Sequence, residues 1–136
     1  MSTLSVLGEI FDKASHLTGV TYSLFEGDPK FITAVELKFE SFSVVLRAIA
    51  DDDTISVEID TLKPSSEEPL VDVGNSAPWL ECLGSGISWA WSLTNQQGYQ
   101  DGVRFEFNNG SAEMHGVSIT LIVVASAIVL YTSVRV

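Results

Sequence analysis

A chain of 136 residues with 46% apolar and 10% aromatic content fits a single folded domain over 1–136 and excludes a disordered polymer. Eighteen acidic residues against seven basic ones leave a net charge of −11, so nucleic-acid backbones and anionic membrane surfaces repel the protein on approach. The lone Cys82 allows no internal disulfide, and the start MSTLSVLGEIFDKASH carries Glu9 and Asp12 where a secretory leader would be basic and then apolar; the expected compartment is the cytoplasm.

The first segment sets Leu4, Leu7, Ile10 or Phe11, Ala14 and Leu17 at spacings of three and four, which predicts an amphipathic helix. Ser2 or Thr3 can cap its start and Gly19 can stop it. The period then changes to two. Val20 to Phe25 is β-branched and aromatic and ends at the turn cluster Glu26-Gly27-Asp28-Pro29. Phe31, Thr33, Val35, Leu37 and Phe39 alternate with Ile32, Ala34, Glu36, Lys38 and Glu40, giving one core face and one mostly wet face. Phe42 to Ala50 is a third strand, Asp51-Asp52-Asp53 turns the chain, and Ile55, Val57 and Ile59 alternate with Ser56, Glu58 and Asp60. These four strands read as an antiparallel meander.

Lys63 to Pro69 is a surface loop, too short to divide domains. A short second helix is expected next, with Ser76 as cap, Pro78 in its first turn and Gly84 at its end; it places Trp79 partly in solvent as a candidate interface anchor. Ile87, Trp89, Trp91 and Leu93 share one strand face, which reads as core. Val103, Phe105 and Phe107 form the next alternation, and Asn109-Gly110 signals a tight hairpin.

The stretch VSITLIVVASAIVLYTSV, Val117 to Val134, holds eighteen residues and no charge. Its β-branched content, its period-two ends and the lack of flanking aromatic belts argue for strands over a membrane anchor. One straight strand of that length would span about 60 Å, so the chain must bend near Ala125-Ser126-Ala127; with no usual hairpin residues present, a bulge or sharp bend is the expectation.

The polar loop Asn95-Gln96-Gln97-Gly98-Tyr99-Gln100-Asp101-Gly102 is the sharpest local feature. It reads either as a recognition loop, with Tyr99 as anchor and amides as adaptable partners, or as a self-contained turn with Gly98 and Gly102 at positive φ and Tyr99 folded over it. The run WSLTNQQGYQDGVRFEF followed by ITLIVVASAI resembles a family of small, uncharacterised bacterial proteins, at Asn95, Gly98, Tyr99, Asp101, Gly102 and Glu106. The resemblance implies a bacterial origin and carries no activity.

Other constellations are weaker. Asp51-Asp52-Asp53 lacks the ligand spacing of a calcium loop, since Ile55 takes the third ligand position. Glu58 and Asp60 read as hydrated neighbours, His16 and His115 as surface histidines, and Cys82 as a packed thiol. No catalytic residue, metal centre or cofactor is assigned.

The fold class expected is α+β: an N-terminal helix and a short second helix packed on a strongly bent, mostly antiparallel sheet of about seven to eight strands. The expected function is a non-enzymatic protein-binding module, immunity-type for example, that meets a basic partner through Asn95, Gln97, Tyr99, Asp101 and Trp79. The alternatives are a structural homo-oligomer and a small hydrolase or isomerase using Asp101, Glu106 or His115 in a pocket of the bent sheet. Nucleic acid and membrane are not expected partners.

Overall fold

The computed structural model describes residues 3–13, 16–108 and 116–134. The helix α1 covers Thr3–Lys13 and buries Val6, Leu7 and Ile10 against the strands β4 (Thr54–Ile59) and β6 (Gly86–Thr94). It ends well before Gly19, which lies in β1 (Leu17–Leu24) beside Lys38.

Around that helix the architecture differs from the expectation. Among the described residues there are nine strands in two sheets rather than one bent sheet, and α1 is the only α-helix. The first sheet has the order β4-β3-β2-β1-β5, with β2 at Ile32–Phe39, β3 at Ser43–Ile49 and β5 at Leu70–Asp72. The second has the order β6-β7-β8-β9, with β7 at Gln100–Asn108, β8 at Val117–Val124 and β9 at Ala127–Val134. Every pairing is antiparallel, and β1 to β4 form the expected meander. The sheets pack on one core, to which the first contributes Val35, Leu37, Leu46 and Val57 and the second Phe105, Phe107, Ile119 and Leu121. The fold is therefore a mostly-β sandwich, not α+β. Alternation tells each strand which face to bury but not which strand ends a sheet. Here β5 folds back onto β1, so the next segment must cross to the other layer; Leu17 N–H to Ser85 O (2.9 Å) and Gly84 N–H to Leu17 O (2.8 Å) tie that crossing down.

The expected second helix is one 3₁₀ turn, Trp79–Glu81, entered through Pro78 without a side-chain cap and left through Gly84 at φ 82°. So short a segment gains too few backbone bonds to repay helix nucleation, and its conformation follows its packing. Trp79 is wholly buried (0% exposed), stands edge-on to Phe107 at 6.3 Å, and donates its Nε1–H to the Tyr22 hydroxyl.

Val117 to Val134 is strand, as the β-branched content indicated, but it turns rather than bends. Ala125 and Ser126 take φ of 50° and 69°, as a two-residue type I′ hairpin requires, and β8 pairs with β9 from Val124↔Ala127 to Val117↔Val134. No helix among the described residues is long and apolar enough to cross a membrane.

A one-residue irregularity reverses the expected face of the tryptophan strand. Ile87 pairs with Phe107 but Trp89 pairs with Glu106, so Ser88 is an extra residue, a β-bulge. Beyond it Ala90 faces Phe105 in the core, while Trp89 and Trp91 stand on the outer face, 58% and 39% exposed.

Candidate functional site

Two turns far apart in sequence and on different sheets meet at one end of the sandwich. The Asp51–Asp53 turn joins β3 to β4, and the Asn95–Tyr99 loop joins β6 to β7. With Asp101, the Ile122, Val123 and Val124 end of β8 and Ala125 of the following turn they line an open cleft of about 520 Å³. Asn95, Gln97, Tyr99 and Asp101, picked out as binding residues in the sequence, all lie in this lining; Trp79 does not, being buried at the sheet crossing.

The loop holds itself. Asn95 Oδ1 accepts from Gln97 N–H (2.9 Å) and Tyr99 N–H (3.2 Å), Asn95 N–H donates to Tyr99 O (2.9 Å), and Gly98 sits at φ 84°. Asn95 Nδ2 donates to Asp101 Oδ2 at 3.4 Å. This scaffold leaves Gln97 exposed and Tyr99 48% exposed. Gly102 owes its place to close approach, not positive φ: a Cβ there would meet Leu121 O at 2.9 Å.

The three aspartates divide their work. Asp52 Oδ1 accepts from Thr54 Oγ1 (2.6 Å) and Thr54 N–H (3.2 Å), closing its own turn. Asp53, itself at φ 53°, reaches across to the other sheet and accepts from Ser126 N–H at 2.8 Å. That bond anchors the Ala125-Ser126 hairpin, whose left-handed backbone disfavours any residue with a Cβ. Asp51 is exposed on the cleft. Among the described residues no three His, Cys, Asp or Glu side chains converge to hold a metal ion.

The remaining candidates lie elsewhere. His16 Nδ1 sits 3.2 Å from Glu40 Oε1 with both side chains in solvent. Glu58 lines a separate groove of about 490 Å³ with Glu9 and Val6, between α1 and β4, and Asp60 is exposed. Glu106 is buried in β7, with its main-chain O 3.2 Å from Ser88 Oγ. His115, Asn109 and Gly110 lie outside the described residues. Cys82 is buried, and that burial, with the nearby Glu81 carboxylate second, pushes its thiol up to about 12. Burial that disfavours the thiolate makes Cys82 a poor nucleophile and suits a packing role. Burial likewise raises the Tyr22 hydroxyl, partly offset by the Trp79 hydrogen bond.

Sequence reasoning missed the joining of the two turns, because nothing local records that β4 and β7 face each other across the core. The signals present were the acidic turn and the Asn/Gly/Tyr loop, each visible alone. Comparison with curated proteins and with solved structures returns no match. A family model described as "Family of unknown function (DUF6334)" matches residues 7–136, which takes in the loop, the cleft and both sheets. The chain belongs to that family.

Proposed function

We propose that this chain is a protein-binding module whose cleft receives a basic segment of a partner protein. The observation that supports this reading is the meeting of Asp51, Asp52, Asp53 and Asp101 with exposed Tyr99 around one open cleft, on a chain of net charge −11. Carboxylates grouped at a concave surface focus the field of the whole molecule, speed the encounter with a cation and reject anionic competitors. Tyr99 supplies the amphipathic contact that slows release, and the amides of Asn95 and Gln97 supply adaptable hydrogen bonds at its rim.

The test compares native protein with the double variant Asp51→Asn/Asp101→Asn as bait in the native host lysate. Asp52 and Asp53 close turns by accepting backbone N–H groups, whereas Asp51 is exposed and the 3.4 Å bond that Asp101 accepts from Asn95 Nδ2 can be kept by an asparagine oxygen. The expected result is a basic protein retained by native bait at low salt, released as salt rises, and lost by the variant. Retention of the same proteins by both baits, or retention indifferent to salt, overturns the reading.

A further inference from the structure

The outer face of the second sheet carries three exposed aromatic residues that the cleft does not use. Strand pairing places Trp91, Arg104, Thr120 and Tyr131 side by side in one row across β6, β7, β8 and β9. Trp89 lies two residues from Trp91 on the same face, about 7 Å along the strand, and Tyr131 lies about 14 Å away across it. Trp89 is 58% exposed and Tyr131 55%. The next row, Leu93, Gly102 and Ile122, joins this face to the acidic cleft, because Ile122 lines both.

The molecule already shows what such a ring accepts. The Arg104 guanidinium lies over the Trp91 ring at 5.1 Å from its centroid, with one end donating to Ser118 Oγ at 3.2 Å. Its Nε is buried and has no hydrogen-bond partner among the described residues, so stacking on the indole is a main contact that positions it. Guanidinium is more weakly hydrated than ammonium and planar, so it stacks on an indole at lower desolvation cost than a lysine head does.

We propose that this face binds arginine side chains of the basic partner, with guanidinium groups stacked on Trp89 and Tyr131 while neighbouring cations enter the cleft. This rests on the acidic-cleft reading and gives it a chemistry: an arginine-rich segment rather than a lysine-rich one. Arg104 already covers Trp91, so the two open platforms are Trp89 and Tyr131, about 14 Å apart across the strands and about 7 Å along them, a separation that about five residues of extended chain span. The charge of −11 brings either cation to the molecule; only the aromatic face distinguishes them.

The test measures binding of hexa-arginine and hexa-lysine peptides to the full chain at low salt. We expect hexa-arginine to bind about five-fold tighter, and Trp89→Ala or Tyr131→Ala each to reduce that preference about two- to three-fold. Trp89→Phe, which keeps a ring, should retain part of the preference, and near-ultraviolet circular dichroism checks that each variant folds. Equal affinity for the two peptides, or a preference that survives both alanine variants, overturns this inference and leaves the cleft reading intact. Failure of both peptides to bind, or binding indifferent to Asp51→Asn/Asp101→Asn, overturns the cleft reading and this inference with it.

Discussion

Trp79 and the pair Trp89 and Trp91 are one residue type in two opposite settings. Trp79 sits in a three-residue turn yet is sealed between the sheets, hydrogen-bonded to Tyr22 and edge-on to Phe107. Trp89 and Trp91 sit in β6 just past its bulge, between Ile87 and Leu93 in an alternating run, yet stand on the outer face. Local pattern would assign them the other way round. Burial of a large side chain is decided by where the chain crosses between layers and by single-residue register changes, neither of which alters hydropathy.

The sharpest way to break the comparison is to remove each indole in turn. Trp79→Ala leaves a large cavity and an orphaned Tyr22 hydroxyl, and should cost about 3–5 kcal/mol in urea unfolding. Trp89→Ala should change stability by less than about 0.5 kcal/mol. If the two losses are equal, the buried and exposed assignments are wrong.

The exposed face has its own rigid point. Gly102→Ala forces a Cβ to within 2.9 Å of the Leu121 carbonyl oxygen, a clash with backbone that cannot rotate away. It should cost about 1–3 kcal/mol and loosen the strands beneath Trp91, read as lower urea midpoint and faster amide exchange in β7 and β8. An unchanged midpoint would show that the sheet yields there.

At the cleft the test has two signs. Asp53→Ala removes the acceptor that holds Ser126 N–H and should destabilise by about 1–2 kcal/mol, whereas Ala125→Gly relieves a left-handed backbone and should stabilise by up to about 1 kcal/mol. Thermal unfolding of both variants checks the pair, and a stabilising Asp53→Ala would remove the anchoring role.

The last test, which varies pH, returns to the buried region. The Cys82 thiol, held by burial up to about 12 from an ordinary 9.0, keeps its proton more firmly folded than unfolded. Its contribution is therefore complete below about pH 9 and is lost as pH rises toward 12, and Tyr22, also raised, acts with the same sign. Urea midpoints measured from pH 8 to 11 should fall, and less steeply in Cys82→Ala; a flat native profile would count against a buried thiol.

Much of the fold was legible because it is local. The spacing of three and four in Leu4, Leu7 and Ile10 announced α1, although the pattern was read on to Leu17, which lies in β1, and the period of two announced the meander of β1 to β4 and the strand character of Val117 to Val134. Asn95, Gln97, Tyr99 and Asp101 stood out as a polar loop because Gly, Asn and Asp announce turns by their own backbone chemistry. The Ala125-Ser126 hairpin did not stand out, since its left-handed residues are held by Asp53, seventy-odd positions away in sequence.

What the amino-acid order determined by itself is thus the helix α1, the longer strands, the turns with local signals and the acidic charge, all of which depend on side-chain period and composition; the short strand β5 and the 3₁₀ turn in place of a second helix were not among them. The tertiary structure alone decided that the strands divide into two sheets, that Ser88 bulges and turns Trp89 and Trp91 outward, and that two turns from opposite layers share one cleft. Each of those outcomes depends on packing between residues distant in the chain, where free energy is gained by closing a common core and not by any neighbour in sequence.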